Sequence, residues 1–174
     1  MIPYLESKGY TFVLAADAGG AARGEHYGKV MGLPTGAATK YRDHTGVNKI
    51  EKILLGCNVA GHKVIIPEDI IDTGGTVKRL TNALFEAEAA EVGICGVHGL
   101  FNPDALPILS GLRKQYGERF NVYVVNTVYH TNLPDWIHLI SVIELIAPII
   151  LNLHTKGSLS GLYRDINHTQ MAPN

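Results

Sequence analysis

The sequence predicts an α/β fold, a mostly parallel sheet flanked by helices, and two features carry this prediction. Apolar segments of strand length alternate along the chain with segments of helical periodicity. The strand segments are apolar throughout, which is typical of strands covered on both faces. With 174 residues, 46% apolar and 18% charged, the chain has enough apolar material for one core. Ligands of such sheets lie at the carboxyl ends of the strands.

The first half of the chain holds three predicted strands, one predicted helix and one predicted loop. Residues 10–16 form an aromatic and apolar run, which predicts a buried strand. Residues 21–31 have a helical pattern, and residues 36–40 and 63–66 predict short strands. Residues 43–58 are polar and mixed, and we expect a loop there.

The second half continues the alternation of helices and strands. A helix is predicted over residues 76–87, with Val77, Leu80, Leu84 and Ala87 on one face. Strands are predicted at 92–97, 122–125 and 139–143, and helices at 103–116 and 144–154. No internal repeat or linker divides the sequence, so we predict one domain over residues 1–163 and a polar tail over 164–174.

Composition excludes several classes of partner. The formal net charge of −1 gives no global attraction to nucleic acid or to an anionic membrane. The longest apolar stretch, residues 139–153, is interrupted by polar residues and is shorter than the roughly 20 residues of a membrane-spanning helix. Two cysteines, Cys57 and Cys95, are too few for a disulfide framework. We therefore expect reduced, buried cysteines and a cytoplasmic location.

The strongest functional signal follows the strand at 63–66. Glu68 and Asp69 are adjacent carboxylates, suited to accepting hydrogen bonds from sugar hydroxyls or to holding a hydrated divalent ion. The turn Asp72-Thr73-Gly74-Gly75-Thr76 then precedes a helix, and its glycines, hydroxyls and helical N–H groups suit an anion. The spacing matches the two ends of a sugar phosphate. The competing interpretation is an ordinary strand-turn-helix corner in which Thr73 only caps the helix.

Residues 64–76 resemble the signature of type I phosphoribosyltransferases and of phosphoribosyl diphosphate synthetases. The resemblance implies that Glu68 and Asp69 contact the ribose hydroxyls, with magnesium nearby, and that Asp72, Thr73, Gly74, Gly75 and Thr76 hold the 5-phosphate. Pro67 departs from the family pattern, which has an apolar residue there. A proline is tolerable at a strand end, where one backbone donor is not needed.

The rest of the chain resembles the synthetase branch, in order, from about Pro3 to Tyr163. The similar segments are 16–23 (ADAGGAAR), 40–42 (KYR), 56–63 (GCNVAGHK), 98–101 (HGLF), 126–127 (NT) and 157–163 (GSLSGLY). Glu68 is a departure, since synthetases usually have aspartate there and transferases often have glutamate. A larger departure is length, because the chain resembles only the second of the two similar halves of a synthetase.

The resemblance implies transfer of a diphosphate group from ATP to ribose 5-phosphate, which gives phosphoribosyl diphosphate and AMP. It implies Mg²⁺ at Asp17, Glu68 and Asp69, and diphosphate at Asp17, Gly19 and Gly20. Lys40 and Arg42 resemble residues of a flexible catalytic loop and would neutralise the transferring phosphates. Each role has a plainer alternative, since Asp17 can cap the helix that follows and Lys40 and Arg42 can be solvated charges.

Three functions remain open at this point. The first is a synthetase, or its catalytic half, that acts as a homo-oligomer or with a partner that supplies the missing N-terminal half. The second is a phosphoribosyltransferase that attaches a base, which Glu68-Asp69 favours and the lack of a recognisable base-binding segment disfavours. The third is a non-catalytic module that senses phosphoribosyl diphosphate.

Overall fold

The structure, a computed structural model, describes residues 1–42 and 51–161. Its helices are α1 (Ile2–Glu6), α2 (Ala21–Met31), α3 (Gly75–Glu86), α4 (Ala105–Tyr116) and α5 (Ile143–His154). Its strands are β1 (Phe12–Ala15), β2 (Thr35–Arg42), β3 (Glu51–Leu55), β4 (Lys63–Ile71), β5 (Glu91–Gly99), β6 (Phe120–Val125) and β7 (Ile137–Ile140). Single-turn 3-10 helices lie at Ala18–Gly20 and Gly117–Arg119.

Within these residues the seven strands form one sheet in the order β3-β2-β1-β4-β5-β6-β7. Every neighbouring pair is parallel except β2 and β3, which are antiparallel. The predicted α/β class and the mostly parallel sheet are therefore confirmed. From β1 the chain adds β2 and β3 on one side of the sheet and then β4 to β7 on the other. β1 and β4 are therefore neighbours where the strand order reverses, and both end at the same edge of the sheet, where a ligand site is expected.

Both faces of the sheet are buried, as the uniformly apolar strands predicted. Successive residues of a strand point to opposite faces of the sheet, and the core accordingly divides into two clusters, one on each face. Val13, Ile65, Cys95 and Tyr123 belong to one cluster, which also contains Leu5 of α1. The other cluster contains the neighbours of these residues in the strands, together with apolar residues of α3 and α4. The Cys95 thiol is fully buried, and burial raises its pKa to about 12, so it stays protonated at neutral pH.

The prediction of a loop over residues 43–58 is wrong for its second part. β3 lies there and pairs with β2 from Ala38↔Leu55 to Arg42↔Glu51. Ile53 and Leu55 are partly buried and pack on the core, whereas Leu54 between them is exposed. This alternation at every second residue is a strand signal, but the polar residues around it concealed it. Residues 43–50 lie outside the described part of the chain.

Several other boundaries differ from the sequence-based expectations, and α1 was not predicted. β4 continues to Ile71, five residues beyond the predicted end, because it pairs with β5 as far as Ile71↔Gly99. Pro67 therefore lies inside a strand, opposite Cys95, and not at a strand end as predicted. Arg23 donates a hydrogen bond to the Pro67 carbonyl oxygen at 3.3 Å.

The chain divides into two compact units, residues 1–140 and a unit that begins at Ser141. In the second unit α5 is the main described element, and no residue of it is buried. None of the helices in the described ranges is long and apolar enough to cross a membrane. The predicted boundary at 163 and the predicted tail 164–174 lie outside the described residues and stay predictions.

Candidate ribose phosphate site

The end of β4 and the start of α3 form the predicted phosphate loop. Gly74 has a left-handed backbone (φ 77°), which favours glycine. A side chain at Gly74 would lie 3.4 Å from Ile108 Cγ2 and 3.5 Å from Ala105 Cα, so the turn lies close against α4. No side chain caps the start of α3 in the described part of the chain. The first N–H groups of the helix are therefore available to an anion.

A cavity of about 220 Å³ lies at this turn. Its lining contains most of the residues that the sequence predicted for ribose 5-phosphate: Glu68, Asp72, Thr73, Gly74 and Thr76. Asp17, which follows β1, lines the same cavity. Residues separated by more than 50 positions in the sequence thus meet at one edge of the sheet, because β1 and β4 are parallel neighbours.

Asp17 and the two glycines after it form one small turn. The Asp17 carboxylate accepts a hydrogen bond from Gly20 N–H at 3.1 Å and so caps the 3-10 helix of Ala18–Gly20. Gly20 is buried, and a side chain at Gly19 would come within 3.3 Å of Asp17 Oδ1. Capping and lining of the cavity are both observed for Asp17. The predicted role of Asp17 in holding diphosphate or Mg²⁺ stays a prediction.

Arg23, on the first turn of α2, contacts the carboxylate pair, and this contact was not anticipated. Arg23 Nη2 lies 3.0 Å from Asp69 Oδ2, and Arg23 Nη1 lies 3.4 Å from Glu68 Oε2. The position of Arg23 follows from close packing, since a side chain at Gly24 would lie only 3.1 Å from Ala15 Cβ. α2 therefore approaches β1 closely and brings Arg23 to β4.

Two further contacts at this edge had no signal in the sequence. Asn102, in the loop between β5 and α4, donates its side-chain amide to Asp72 Oδ1. Arg79 extends back along α3 toward Gly75, where a side chain would lie 3.7 Å from Arg79 Nη1. Arg79 thus adds positive charge beside the phosphate loop, whose cavity is also lined by the carboxylates of Asp17, Glu68 and Asp72. Loop and helix residues of this kind become neighbours only through the fold, so spacing in the sequence does not reveal them.

The predicted catalytic residues Lys40 and Arg42 lie at the end of β2. Their backbones pair with Ile53 and Glu51 of β3. The strand predicted over residues 36–40 already contained Lys40, whereas the resemblance implied a loop for both residues. Antiparallel pairing with β3 extends the strand through Arg42, so the loop is wrong. The structure describes only the backbone of these two residues, so their role in neutralising phosphate stays a prediction.

Two of the three predicted Mg²⁺ ligands line the cavity, and the third, Asp69, is not among its lining residues. Asp17 and Glu68 line it, and carboxylate oxygen is the donor that Mg²⁺ prefers. Among the described residues no group of three or more acidic, histidine or cysteine side chains is arranged to hold a metal ion. Mg²⁺ is commonly held by one or two carboxylates together with substrate phosphates. The two carboxylates therefore fit a Mg²⁺ ion that arrives with a phosphorylated substrate.

His98 and His130, near the same edge, have opposite proton positions. Thr127 Oγ1 donates its only proton to the Val97 carbonyl at 2.9 Å, so it accepts from His98 Nδ1 at 2.8 Å. Neutral His98 therefore carries its proton on Nδ1. His130 Nε2 lies 2.7 Å from the Gly99 carbonyl oxygen, which can only accept, so His130 carries its proton on Nε2.

We expect ¹⁵N chemical shifts above pH 8 to show the Nδ1–H tautomer for His98 and the Nε2–H tautomer for His130. Thr127→Val removes the acceptor for His98 and should return that ring to a mixture of tautomers, while His130 stays unchanged as an internal control. An Nε2–H tautomer for His98 in the unaltered protein would contradict the proton positions inferred above.

The chain belongs to the phosphoribosyl transferase domain family, whose sequence model matches residues 6–138. Within that family it is similar to phosphoribosyl diphosphate synthetases. It is 31% identical over 154 residues to a ribose-phosphate pyrophosphokinase of Thermotoga maritima, a match that covers 88% of this chain and 47% of that protein. It is 32% identical over 170 residues to ribose-phosphate pyrophosphokinase 2, chloroplastic, of Arabidopsis thaliana, with 94% of this chain and 41% of that protein covered.

A solved structure supports the same similarity. The phosphoribosylpyrophosphate synthetase of Mycobacterium smegmatis matches with a TM-score of 0.74 and 25% identity. The match covers 90% of this chain and 50% of that chain. This chain therefore spans about half the length of the relatives that it matches. The resemblance to the synthetase branch and to the type I phosphoribosyltransferase fold is confirmed.

Proposed function

We propose that this domain binds ribose 5-phosphate and serves a ribose-phosphate diphosphokinase, with ATP as the diphosphate donor and phosphoribosyl diphosphate as the product. One observation carries the proposal: turn residues Thr73, Gly74 and Thr76 line a single cavity at the end of β4, together with the acidic residues Asp17 and Glu68. The relatives described above, which are ribose-phosphate pyrophosphokinases, support it.

In this proposal the two ends of the substrate meet different parts of β4 and its loop. The 5-phosphate accepts hydrogen bonds from the hydroxyls of Thr73 and Thr76 and from the first N–H groups of α3. Arg79 provides a positive charge beside it. The ribose hydroxyls donate to Glu68 and Asp69, because an ionised carboxylate is an acceptor only. The groups that hold the phosphate and the sugar thereby belong to β4, α3 and the turn between them, whose backbone is rigid.

The reaction we propose joins the 1-hydroxyl oxygen of ribose 5-phosphate to the β-phosphorus of ATP. The bond from that phosphorus to the oxygen that bridges the α-phosphate breaks, AMP leaves and the hydroxyl proton is released. Mg²⁺, held by Asp17, Glu68 and Asp69 together with substrate phosphates, would offset the charge on the transferring diphosphate. Gly19 and Gly20 would admit the diphosphate close to the backbone, and Lys40 and Arg42 would add positive charge.

Because the chain spans about half the length of its relatives, turnover is the part of the proposal that depends on a partner. We propose that ribose 5-phosphate binding belongs to this domain alone. Complete diphosphate transfer would need a homo-oligomer or a partner equivalent to the other half of the relatives. Binding without turnover would also fit a module that senses phosphoribosyl diphosphate.

A phosphorus NMR experiment with ribose 5-phosphate, ATP and Mg²⁺ tests the proposal. Appearance of AMP and a sugar diphosphate would support the synthetase reaction in this chain alone. A perturbed ribose 5-phosphate signal without product would support binding that needs a partner. We expect Asp69→Ala to weaken this binding roughly tenfold to a hundredfold, since a hydrogen bond to a charged group contributes about 1.5–3 kcal/mol.

The matched control for this prediction is Asp135→Ala, which removes an exposed aspartate outside the cavity lining. It should leave the ribose 5-phosphate signal unchanged. An unaltered protein that neither turns over nor perturbs ribose 5-phosphate would overturn the proposed function. Turnover of phosphoribosyl diphosphate with a free nucleobase, in place of the reaction above, would favour the transferase alternative.

A further inference from the structure

The Asp69 side chain is largely exposed and yet anchored at both carboxylate oxygens. Its side chain is 65% exposed. Even so, Asp69 Oδ1 accepts a hydrogen bond from Ile70 N–H at 2.9 Å, and Asp69 Oδ2 meets Arg23 Nη2 at 3.0 Å. An exposed carboxylate without such contacts samples several rotamers, and ordering it costs conformational entropy. Here both oxygens are held before any ligand arrives.

Arg23 supplies the anchor and joins three consecutive residues of β4. Its guanidinium reaches the Pro67 carbonyl oxygen, Glu68 Oε2 and Asp69 Oδ2. Successive side chains of a strand point to opposite faces, so a single strand does not align Glu68 and Asp69 by itself. The planar, multidentate guanidinium bridges them from a neighbouring helix, which a lysine ammonium does less well.

We infer that Arg23 is a positioning residue that orients the Glu68 and Asp69 carboxylates toward a vicinal diol and thereby lets the site distinguish ribose 5-phosphate from its 2-deoxy analogue. This inference rests on the proposed function. Each Asp69 oxygen retains a second lone-pair direction, and the side chain is exposed enough for a diol to reach it. The carboxylates are therefore oriented in advance, and the binding energy of the diol is not spent on ordering them.

Calorimetric titration with ribose 5-phosphate and with 2-deoxyribose 5-phosphate measures the predicted discrimination as a ratio of dissociation constants. In the unaltered protein we expect ribose 5-phosphate to bind roughly tenfold to a hundredfold more tightly, because the analogue lacks one hydrogen bond to a charged acceptor. Arg23→Met should lower this ratio about tenfold and change the affinity for the 2-deoxy analogue much less. The ratio cancels effects on the phosphate loop, which both ligands share.

Two variants separate orientation from charge. Arg23→Lys keeps the positive charge but does not span both carboxylates, so the ratio should fall almost as far as in Arg23→Met. Lys29→Met removes a positive charge from the exposed face of the same helix, and the ratio should stay at the unaltered value. A full ratio in Arg23→Met would overturn the inference, and a full ratio in Arg23→Lys would show that charge alone suffices and would overturn it as well.

A ligand-free measurement keeps this inference separate from the proposed function. Three-bond couplings about χ1 of Asp69 should report a single rotamer in the unaltered protein and rotamer averaging in Arg23→Met. Averaging in the unaltered protein would overturn the positioning role, whatever the ligand. A single rotamer in a protein that binds neither sugar phosphate would support the anchoring of Asp69 by Arg23. The same result would contradict the proposed function and the inference that the anchored carboxylates bind a diol.

Discussion

Thr73→Val should weaken ribose 5-phosphate binding roughly tenfold to a hundredfold while leaving the fold unchanged. Thr73 lines the cavity and is exposed, so the substitution removes a hydroxyl without opening a space in the core. Valine has nearly the same shape as threonine, and the loss is confined to one hydrogen bond to a charged phosphate, which contributes about 1.5–3 kcal/mol. Calorimetric titration with ribose 5-phosphate measures the affinity.

The same substitution at Thr81, inside the helix that follows the turn, provides a matched control. Thr81 is fully buried in α3, and its hydroxyl has no hydrogen-bond partner in the described part of the chain. Thr81→Val removes an unsatisfied buried group, so stability should stay the same or rise, by up to about 1–3 kcal/mol. Ribose 5-phosphate affinity should not change. Equal affinities for Thr73→Val and the unaltered protein would remove Thr73 from the phosphate site.

The features predicted best from the sequence are those that depend on neighbouring residues. Apolar runs predicted buried strands, and both faces of the sheet are buried. The phosphate turn was predicted because a strand, two glycines, two threonines and a helix follow one another within residues 64–76. Most of these residues line one cavity. Local backbone geometry specifies such a turn, so its sequence is sufficient to indicate it.

The features that the sequence missed depend on contacts between distant segments. The end of β4 was placed too early because Pro67 and the acidic pair resemble a strand end. Pairing with β5 through Ile71 keeps the strand extended. The partner of the acidic pair, Arg23, lies about 45 positions away and reaches it through the close approach of α2 to β1. Similarly, β2 continues through Arg42, beyond its predicted end at Lys40, because β3 pairs with it, and β3 was concealed within a polar segment.

Gly93→Ala should destabilise the fold by about 2–4 kcal/mol, a large fraction of the stability of a typical domain. Gly93 lies inside β5, and a side-chain carbon there would lie 2.5 Å from Tyr10 Cζ and 2.8 Å from Ile65 Cδ1. Tyr10 is 4% exposed, and its hydroxyl donates to the Tyr123 hydroxyl at 3.0 Å. The tyrosine ring occupies the space that the absent side chain leaves. Overpacking costs about 1–3 kcal/mol, and displacing the buried hydrogen bond costs about 0.5–1.5 kcal/mol.

Gly111→Ala provides the opposite control because it makes the same chemical change where space is open. Gly111 lies on the exposed side of α4, and a side chain there meets no atom within 4 Å. Alanine in a helix is about 0.5–1 kcal/mol more favourable than glycine, so Gly111→Ala should stabilise the protein. Thermal unfolding should therefore shift down for Gly93→Ala, by roughly 4–16 °C, and slightly up for Gly111→Ala. Equal melting temperatures for the two variants would mean that Tyr10 does not fill the space above Gly93. The buried tyrosine pair would then not fix the packing between β5 and the segment that precedes β1.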